Sequence, residues 1–303
     1  MIDITAKGSK TPGAVALGFF DGLHLGHIEV IKQAMSLAEA DGINSVIFTF
    51  NDKTMLPKFQ TRQNIIGYDL KLELLAKIGV NYIYAPDFAT AKDLSPEEFV
   101  NDILIEKLHA KYVTCGYDFR FGKGGAGDGE ELSRLCALKG VQVTVVPAVT
   151  LDGQIVSSTS IREMIRNGDV ATANRMLGYE LTYVLEVKRG NQIGKTIGFP
   201  TINQSIPAGN VTPKFGVYKS WAQIKGRKYP AITNIGVKPT IALRDGEEAR
   251  EPEMETHIIG FSGDLYGLRA RVTLREFMRE EKQFANLEQL KAQLELDKQA
   301  VLG

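Results

Sequence analysis

Between residues 14 and 146 the chain alternates short apolar, β-rich runs with stretches of helical periodicity, and this alternation constrains the fold more than any other feature of the sequence. The runs are residues 14–17, 46–50, 82–84, 112–115 and 141–146. Between the first two, Ile28, Ile31, Met35 and Ala38 recur at steps of three and four, the spacing of one helical face. Strand, helix and strand in that order make a βαβ unit, and repeated units build a parallel sheet covered by helices. Ser95-Pro96-Glu97-Glu98 adds a clear helix start: a capping hydroxyl, a proline at the first helical position and a glutamate three residues on. The expectation is an α/β, doubly wound parallel-sheet domain.

After about residue 181 the texture changes to short alternating runs with glycine-bearing turns. Residues 221–224, the pair Lys225-Gly226 and residues 229–232 read as a hairpin, and residues 254–259 and 270–274 continue the pattern. Leu287, Leu290, Leu294 and Val301 mark a closing amphipathic helix. We therefore expect a second domain, an antiparallel six-stranded β-barrel with a terminal helix, and place the domains at residues 1–180 and 181–303. A chain of 303 residues has room for two such cores.

Bulk chemistry narrows the partners. The 36 basic and 36 acidic side chains cancel, so no global field recruits nucleic acid or an anionic membrane. Apolar residues make up 44% and charged residues 24%, the balance of an ordinary globular protein, and no run of about 18 apolar residues suggests a span. Cys115 and Cys136 are too few for a disulfide framework and lack metal-ligand spacing. No export signal is read at the start, so the expected setting is a reducing cytoplasm without an obligate protein partner.

Three segments carry chemistry. Gly18-Phe19-Phe20-Asp21-Gly22-Leu23-His24-Leu25-Gly26-His27 joins the first strand to the first helix, where phosphates bind in such sheets. Its two imidazoles can donate to phosphate, or they can be incidental to a turn. Ser157-Ser158-Thr159-Ser160-Ile161-Arg162 offers hydroxyls and a guanidinium suited to a leaving pyrophosphate, although Ser and Thr are also common helix caps. The glycine-rich stretch from Gly190 to Asn203 can wrap phosphates or serve as a turn; its Lys195 is not placed as in a Walker loop.

Together the first two segments resemble the nucleotidyltransferase superfamily, with its HxGH-type motif and later Ser/Thr-rich motif. Residues 116–123, Gly-Tyr-Asp-Phe-Arg-Phe-Gly-Lys, with Gly127-Asp128, resemble the adenylyltransferase module of prokaryotic bifunctional riboflavin kinase/FAD synthetases. The resemblance implies that FMN phosphate attacks the α-phosphate of ATP. It assigns His24 and His27 to catalysis, and Gly18, Phe19, Asp21, Gly26, Asp118, Ser158, Thr159 and Arg162 to ATP or phosphate binding. One departure stands out: where the family carries Phe-x-Pro-His-Pro, this chain reads Phe50-Asn51-Asp52-Lys53-Thr54.

In the second half, Pro200-Thr201-Ile202-Asn203 resembles the Pro-Thr-Ala-Asn motif of riboflavin kinases. Thr201 and Asn203, two apart in an extended segment, point the same way and offer neutral oxygens to Mg²⁺. Phe215-Gly216-Val217-Tyr218, the Asn234–Thr240 segment and Glu255-Thr256-His257-Ile258-Ile259-Gly260 followed by Asp264-Leu265-Tyr266-Gly267 match in order, with Gly260 where an aspartate is common. By the resemblance Thr201 and Asn203 are metal ligands and Glu255 is the catalytic base toward the riboflavin 5′-hydroxyl. Gly190 and Lys195 contact ATP, and Arg279 contacts flavin unless the run around it is a surface charge run. The implied small molecules are riboflavin, FMN, FAD and ATP as co-substrate, with Mg²⁺. Two alternatives are a kinase whose first half is impaired in adenylylation, and an aminoacyl-tRNA synthetase, which the lack of a basic surplus and of a lysine-rich second signature disfavours.

Overall fold

The computed structural model describes residues 1–51, 63–190, 193–237 and 251–303, with Ile193 described by its backbone. By their contacts these residues fall into two compact units, one drawn from Met1–Arg62 and Tyr68–Ser158, the other from Gln63–Gly67 and Thr159–Gly303.

In the first unit β1 (Ile2–Asp3), β2 (Gly13–Leu17), β3 (Asn44–Phe48), β4 (Tyr82–Tyr84), β5 (Ala110–Gly116) and β6 (Gln142–Val146) form a parallel sheet in the order β1-β4-β3-β2-β5-β6. The alternation of the sequence is thus realised as the expected doubly wound sheet. Helix α1 (Leu25–Ala40) crosses from β2 to β3 and buries Val30, Ile31, Ala34 and Ala38. Full burial of a Val or Ile side chain stabilises by about 1.5–3 kcal/mol, so the apolar face holds this helix in place. Ile28 and Met35, expected in the stripe, are only half-buried, because the stripe centres on residues 31 and 34. From β2 the chain steps one way to β3 and β4, then to the other side for β5 and β6. The crevice beyond the carboxyl ends of β2 and β5 is therefore the topological switch point, where ligands bind in open α/β sheets. The Ser95 capping box forms as read: Glu98 N–H donates to Ser95 Oγ at 3.1 Å and Ser95 N–H to Glu98 Oε2 at 2.7 Å. After one turn the backbone widens into a π-helical stretch, Phe99–Lys107, which no sequence signal announces. Helix α2 (Tyr68–Ile78) precedes β4. A small hairpin of β7 (Thr150–Leu151) and β8 (Gln154–Ile155) follows β6.

In the second unit β9 (Thr182–Glu186), β10 (Thr201–Ser205), β11 (Gly216–Ile224), β12 (Arg227–Gly236), β13 (Glu253–Ile258) and β14 (Arg269–Arg279) pair antiparallel in the order β10-β13-β12-β11-β14-β9. Just past β9, Lys188 N–H donates to the Asn203 carbonyl at 2.7 Å, and this bridge to β10 nearly closes the expected barrel. Lys225 and Gly226 make the two-residue turn of the β11–β12 hairpin with φ of 48° and 83°, the left-handed geometry such turns require. Tyr218, Ala222, Ile235, Met254, Val272 and Leu274 fill the barrel, threaded by a hydroxyl chain from Ser220 to Thr233 (2.8 Å) to Thr256 (3.0 Å).

The terminal helix Leu287–Leu302 is present, and its expected apolar face is realised in part, with Leu290 and Leu294 half-buried. Leu287 is exposed, while Asp297 and Val301 are buried. Val301 packs on Val217, Ile232 and Ile259, and Asp297 is withdrawn from water because Arg279 of β14 binds it through two nitrogens. Among the described residues no helix is long and apolar enough to cross a membrane.

Candidate active sites

At the switch point β2 ends and residues 18–24 turn into α1. Phe20 and Leu23 take φ of 51° and 41°, left-handed values that strain non-glycine residues by roughly 1–3 kcal/mol each. Full burial of both side chains offsets that strain. The turn is pinned through its carbonyls. The Phe19 carbonyl accepts from Thr49 Oγ1 at 2.9 Å and Lys71 Nζ at 3.3 Å, and the Asp21 carbonyl accepts from Ser158 Oγ at 2.9 Å.

His24 caps α1: the His27 N–H donates to His24 Nδ1 at 3.3 Å, and the two imidazoles stack with centroids 3.6 Å apart. Phe20 meets the His27 ring edge-on at 5.3 Å. Gly26 leaves room for the His24 ring, since a Cβ there would make a tight contact, 3.2 Å from His24 Cε1 and 3.3 Å from Nδ1. Two adjacent imidazoles at a helix N-terminus whose first turn has no acidic residue favour an anionic ligand.

The other expected residues of the first half lie as follows. Gly18 begins the turn; Asp118 is exposed in the turn after β5, across the switch point from β2. Asp128 is occupied as a helix cap, accepting from the Glu130 and Glu131 amides at 3.1 Å. Thr159 and Arg162 fall in the second unit, where Thr159 is exposed and Arg162, buried, donates from Nε to the Gln63 carbonyl at 2.6 Å. Of the altered loop, Asn51 is described; Asp52, Lys53 and Thr54 lie outside the described residues.

In the barrel, strand register assembles the second candidate site. Asn203 of β10 is the direct partner of Glu255 of β13, and Glu255 is the direct partner of Asn234 of β12. Directly paired residues project from the same face with Cβ atoms about 5 Å apart, so the three side chains form a row. The row runs on through Val217 to Arg279. Thr201 pairs in the same way with His257. His257 Nδ1–H donates to the Pro200 carbonyl at 2.9 Å, holding the residue before Thr201, and burial pushes its imidazole below the ordinary range.

Gly190 lies against Asn203: a Cβ at residue 190 would come within 2.4 Å of Nδ2 and 2.5 Å of Oδ1. Lys195 is exposed in a short helix, Ile193–Thr196, while Asn191, Gln192 and the Lys238–Thr240 part of the matched segments lie outside the described residues. Asn234 Nδ2 donates to Glu281 Oε1 at 2.9 Å, and Glu281 with Glu280, Arg166, Lys214 and Phe215 lines a cavity of about 630 Å³. Arg279 gives Nε and Nη2 to Asp297 and Nη1 to the Glu280 carbonyl.

Two families match the chain end to end: one described as FAD synthetase over residues 6–160 and one described as riboflavin kinase over residues 177–302. Bifunctional riboflavin kinase/FMN adenylyltransferases from Listeria monocytogenes and Bacillus subtilis are 35% and 31% identical, covering 94% and 98% of this chain and 90% and 93% of theirs. The chain belongs to the bifunctional riboflavin kinase/FMN adenylyltransferase family. A crystal structure described as a macrolide-efflux protein from Streptococcus pneumoniae is also similar, with a TM-score of 0.86, 30% identity and coverage of 100% of this chain and 98% of that one.

Within this family frame, three residues stand out that sequence reasoning left without a role. Lys71 and Thr49 hold the Phe19 carbonyl from beneath the histidine turn, and Asn234 completes the row beside Glu255. Lys71 gave no signal, since a lysine inside Tyr68–Ile78 reads as an exposed helix position.

Proposed function

We infer that the chain makes FMN and then FAD: it transfers the γ-phosphoryl group of ATP to riboflavin, and an adenylyl group from a second ATP to FMN with release of pyrophosphate. The barrel, in our assignment residues 181–303, is the kinase, and residues 1–180 carry adenylyl transfer; the start of the riboflavin kinase match at residue 177 supports that boundary. The observation that carries the kinase reading is the register pair Asn203–Glu255. It sets a carboxylate beside a neutral oxygen donor on one sheet face.

Glu255 takes the proton from the riboflavin 5′-hydroxyl as that oxygen attacks the γ-phosphorus and ADP departs. Mg²⁺, when bound, offsets the charge on the phosphates. Thr201 and Asn203 would hold it, and their neutral oxygens, one of them cradled against a glycine that a Cβ would crowd, fit a hard cation whose shell phosphate and water complete. Gly190 and Lys195 are assigned to the ATP phosphates. Flavin is assigned to the cavity lined by Glu281, with Arg279 on its border through the Glu280 carbonyl.

In the first half, a phosphate oxygen of FMN attacks the α-phosphorus of ATP and pyrophosphate leaves. His24 and His27 donate to the phosphates at the N-terminus of α1. Gly18, Phe19, Asp21 and Gly26 shape the turn, and Asp118, Ser158, Thr159 and Arg162 are assigned to the nucleotide. A cytoplasmic setting accords with two buried free thiols. An impaired first half is not favoured, because that half matches the FAD synthetase family and the relatives are named for both activities.

The deciding experiment incubates the pure protein with riboflavin, ATP and Mg²⁺ and resolves the flavins by chromatography. FMN followed by FAD is expected; FMN alone would overturn the adenylyl-transfer half of the reading.

A further inference from the structure

Lys71 is 1% exposed, the most deeply buried charged side chain among the described residues, and neither the resemblance nor the mechanism above employs it. Burying an ammonium group is costly unless it meets polar partners. Its Nζ reaches the Phe19 carbonyl at 3.3 Å and sits over the Tyr68 ring, 5.4 Å from its centroid. The same carbonyl accepts from Thr49 Oγ1 at 2.9 Å, and Thr49 is wholly buried. A helix residue and a residue just after β3 thus converge on one backbone oxygen.

The position of that oxygen gives the contact its consequence. Phe19 immediately precedes Phe20, whose φ of 51° an L-residue adopts only under constraint. Released, the Phe20 backbone would relax toward negative φ. The turn would then swing, taking with it His24, the cap of α1, and the imidazole stacked on it. On the downstream side, the Asp21 carbonyl is tied by Ser158. The strained residue therefore sits between two carbonyl anchors, and the upstream anchor is charged, which makes its hydrogen bond stronger than a neutral one.

We propose that Lys71 is a positioning residue for adenylyl transfer, clamping the Phe19 carbonyl from below so that the strained turn holds the His24–His27 pair in phosphate-binding geometry. The proposal rests on the adenylyl-transfer reading above. It needs no contact between Lys71 and substrate. Its effect reaches ATP through backbone placement, so loss of the clamp raises the KM for ATP and lowers kcat of FAD formation together.

The test compares the full-length wild type with Lys71→Met, Lys71→Arg and Thr49→Val, measuring FAD formation from supplied FMN and FMN formation from riboflavin in each. Resistance of Cys115 and Cys136, both buried in the first unit, to a thiol reagent reports whether that half of each variant is folded, and the kinase reaction reports on the other half. Lys71→Met is expected to keep the kinase rate and lose at least tenfold in kcat/KM of FAD formation, on the order of one charged hydrogen bond. Lys71→Arg should restore most of it, and Thr49→Val should show a smaller loss with a raised KM for ATP.

Full FAD formation by a kinase-active Lys71→Met overturns the clamp. So does a Lys71→Arg that stays as slow as Lys71→Met, because a purely steric defect would behave that way. If Lys71→Met fails to fold, Thr49→Val decides, and an unchanged KM for ATP there overturns the proposal. A wild type that converts riboflavin to FMN but makes no FAD defeats the adenylyl-transfer reading itself, an outcome distinct from any of these.

Discussion

Arg279 and Asp297 form a two-pronged ion pair, Nε to Oδ1 at 3.0 Å and Nη2 to Oδ2 at 2.7 Å, with 16% and 4% of their side chains exposed. Gln293 Nε2 adds a bond to Asp297 Oδ1 at 2.9 Å. The pair ties the end of β14 to the terminal helix. Removing one member strands the other charge away from water, which costs about 3–5 kcal/mol in comparable buried pairs. Asp297→Ala is expected to destabilise the barrel by that order. Trp221, the single tryptophan and a residue of β11, reports on this unit in a urea titration followed by fluorescence. A loss below about 1 kcal/mol, the range of exposed pairs, would contradict the burial argument.

The two activities should separate by single substitutions. Glu255→Gln keeps the size of the side chain and removes the base, so FMN formation from riboflavin should fall by at least roughly a hundredfold while FAD formation from supplied FMN persists. His27→Ala should do the converse, slowing FAD formation by about 10²-fold and sparing the kinase. His24 has a second duty as the cap of α1, so His24→Ala should also destabilise by about 1 kcal/mol, which His24→Asn restores without restoring activity. Loss of both reactions in a folded Glu255→Gln protein would contradict independent sites.

Gly190 tests the metal assignment. A methyl at this position would overlap the Asn203 amide, whose Nδ2 and Oδ1 lie 2.4 and 2.5 Å from the Cβ. Asn203 must shift, so Gly190→Ala should raise the Mg²⁺ concentration needed for half-maximal FMN formation several-fold and leave the Mg²⁺ dependence of FAD formation alone. Equal Mg²⁺ curves for variant and wild type would take Asn203 out of the metal site.

The cysteines should be silent in the native protein. Burial pushes the Cys115 thiol up to about 12 and Cys136 to about 11, so thiolate is scarce at pH 8. A chromogenic disulfide reagent should label neither under native conditions and both in denaturant. Fast native labelling would mean that this core opens far more readily than its packing implies.

Much of the architecture was legible because local chemistry announces it. The runs that became β2 to β6 are apolar enough to read as strands, and the Ser95 box and the Lys225-Gly226 turn are short-range signals. What was not legible depends on partners distant in the chain. Asp297 reads as a polar helix position until Arg279, on a strand, is seen to meet it, and this is why the buried side of the terminal helix carries an aspartate beside Val301. Lys71 is buried where its ammonium reaches the Phe19 carbonyl, 52 residues away in the chain. The neighbourhood of Asn203, Glu255 and Asn234 is set by pairing across three strands, and the order of residues along the chain carries no register.

That row has a consequence for how this enzyme can vary. Side chains alternate faces along a strand, so deleting or inserting one residue within Glu253–Ile258 would turn Glu255 to the opposite side of the wall and bring Thr256, now sealed inside, out in its stead. Conservative exchanges at neighbouring positions can be absorbed by repacking, but a change of length here cannot. Indels are thus confined to the connections, while the spacing from Asn203 to Ser205 and from Glu253 to Glu255 behaves as a reading frame for the phosphoryl-transfer site.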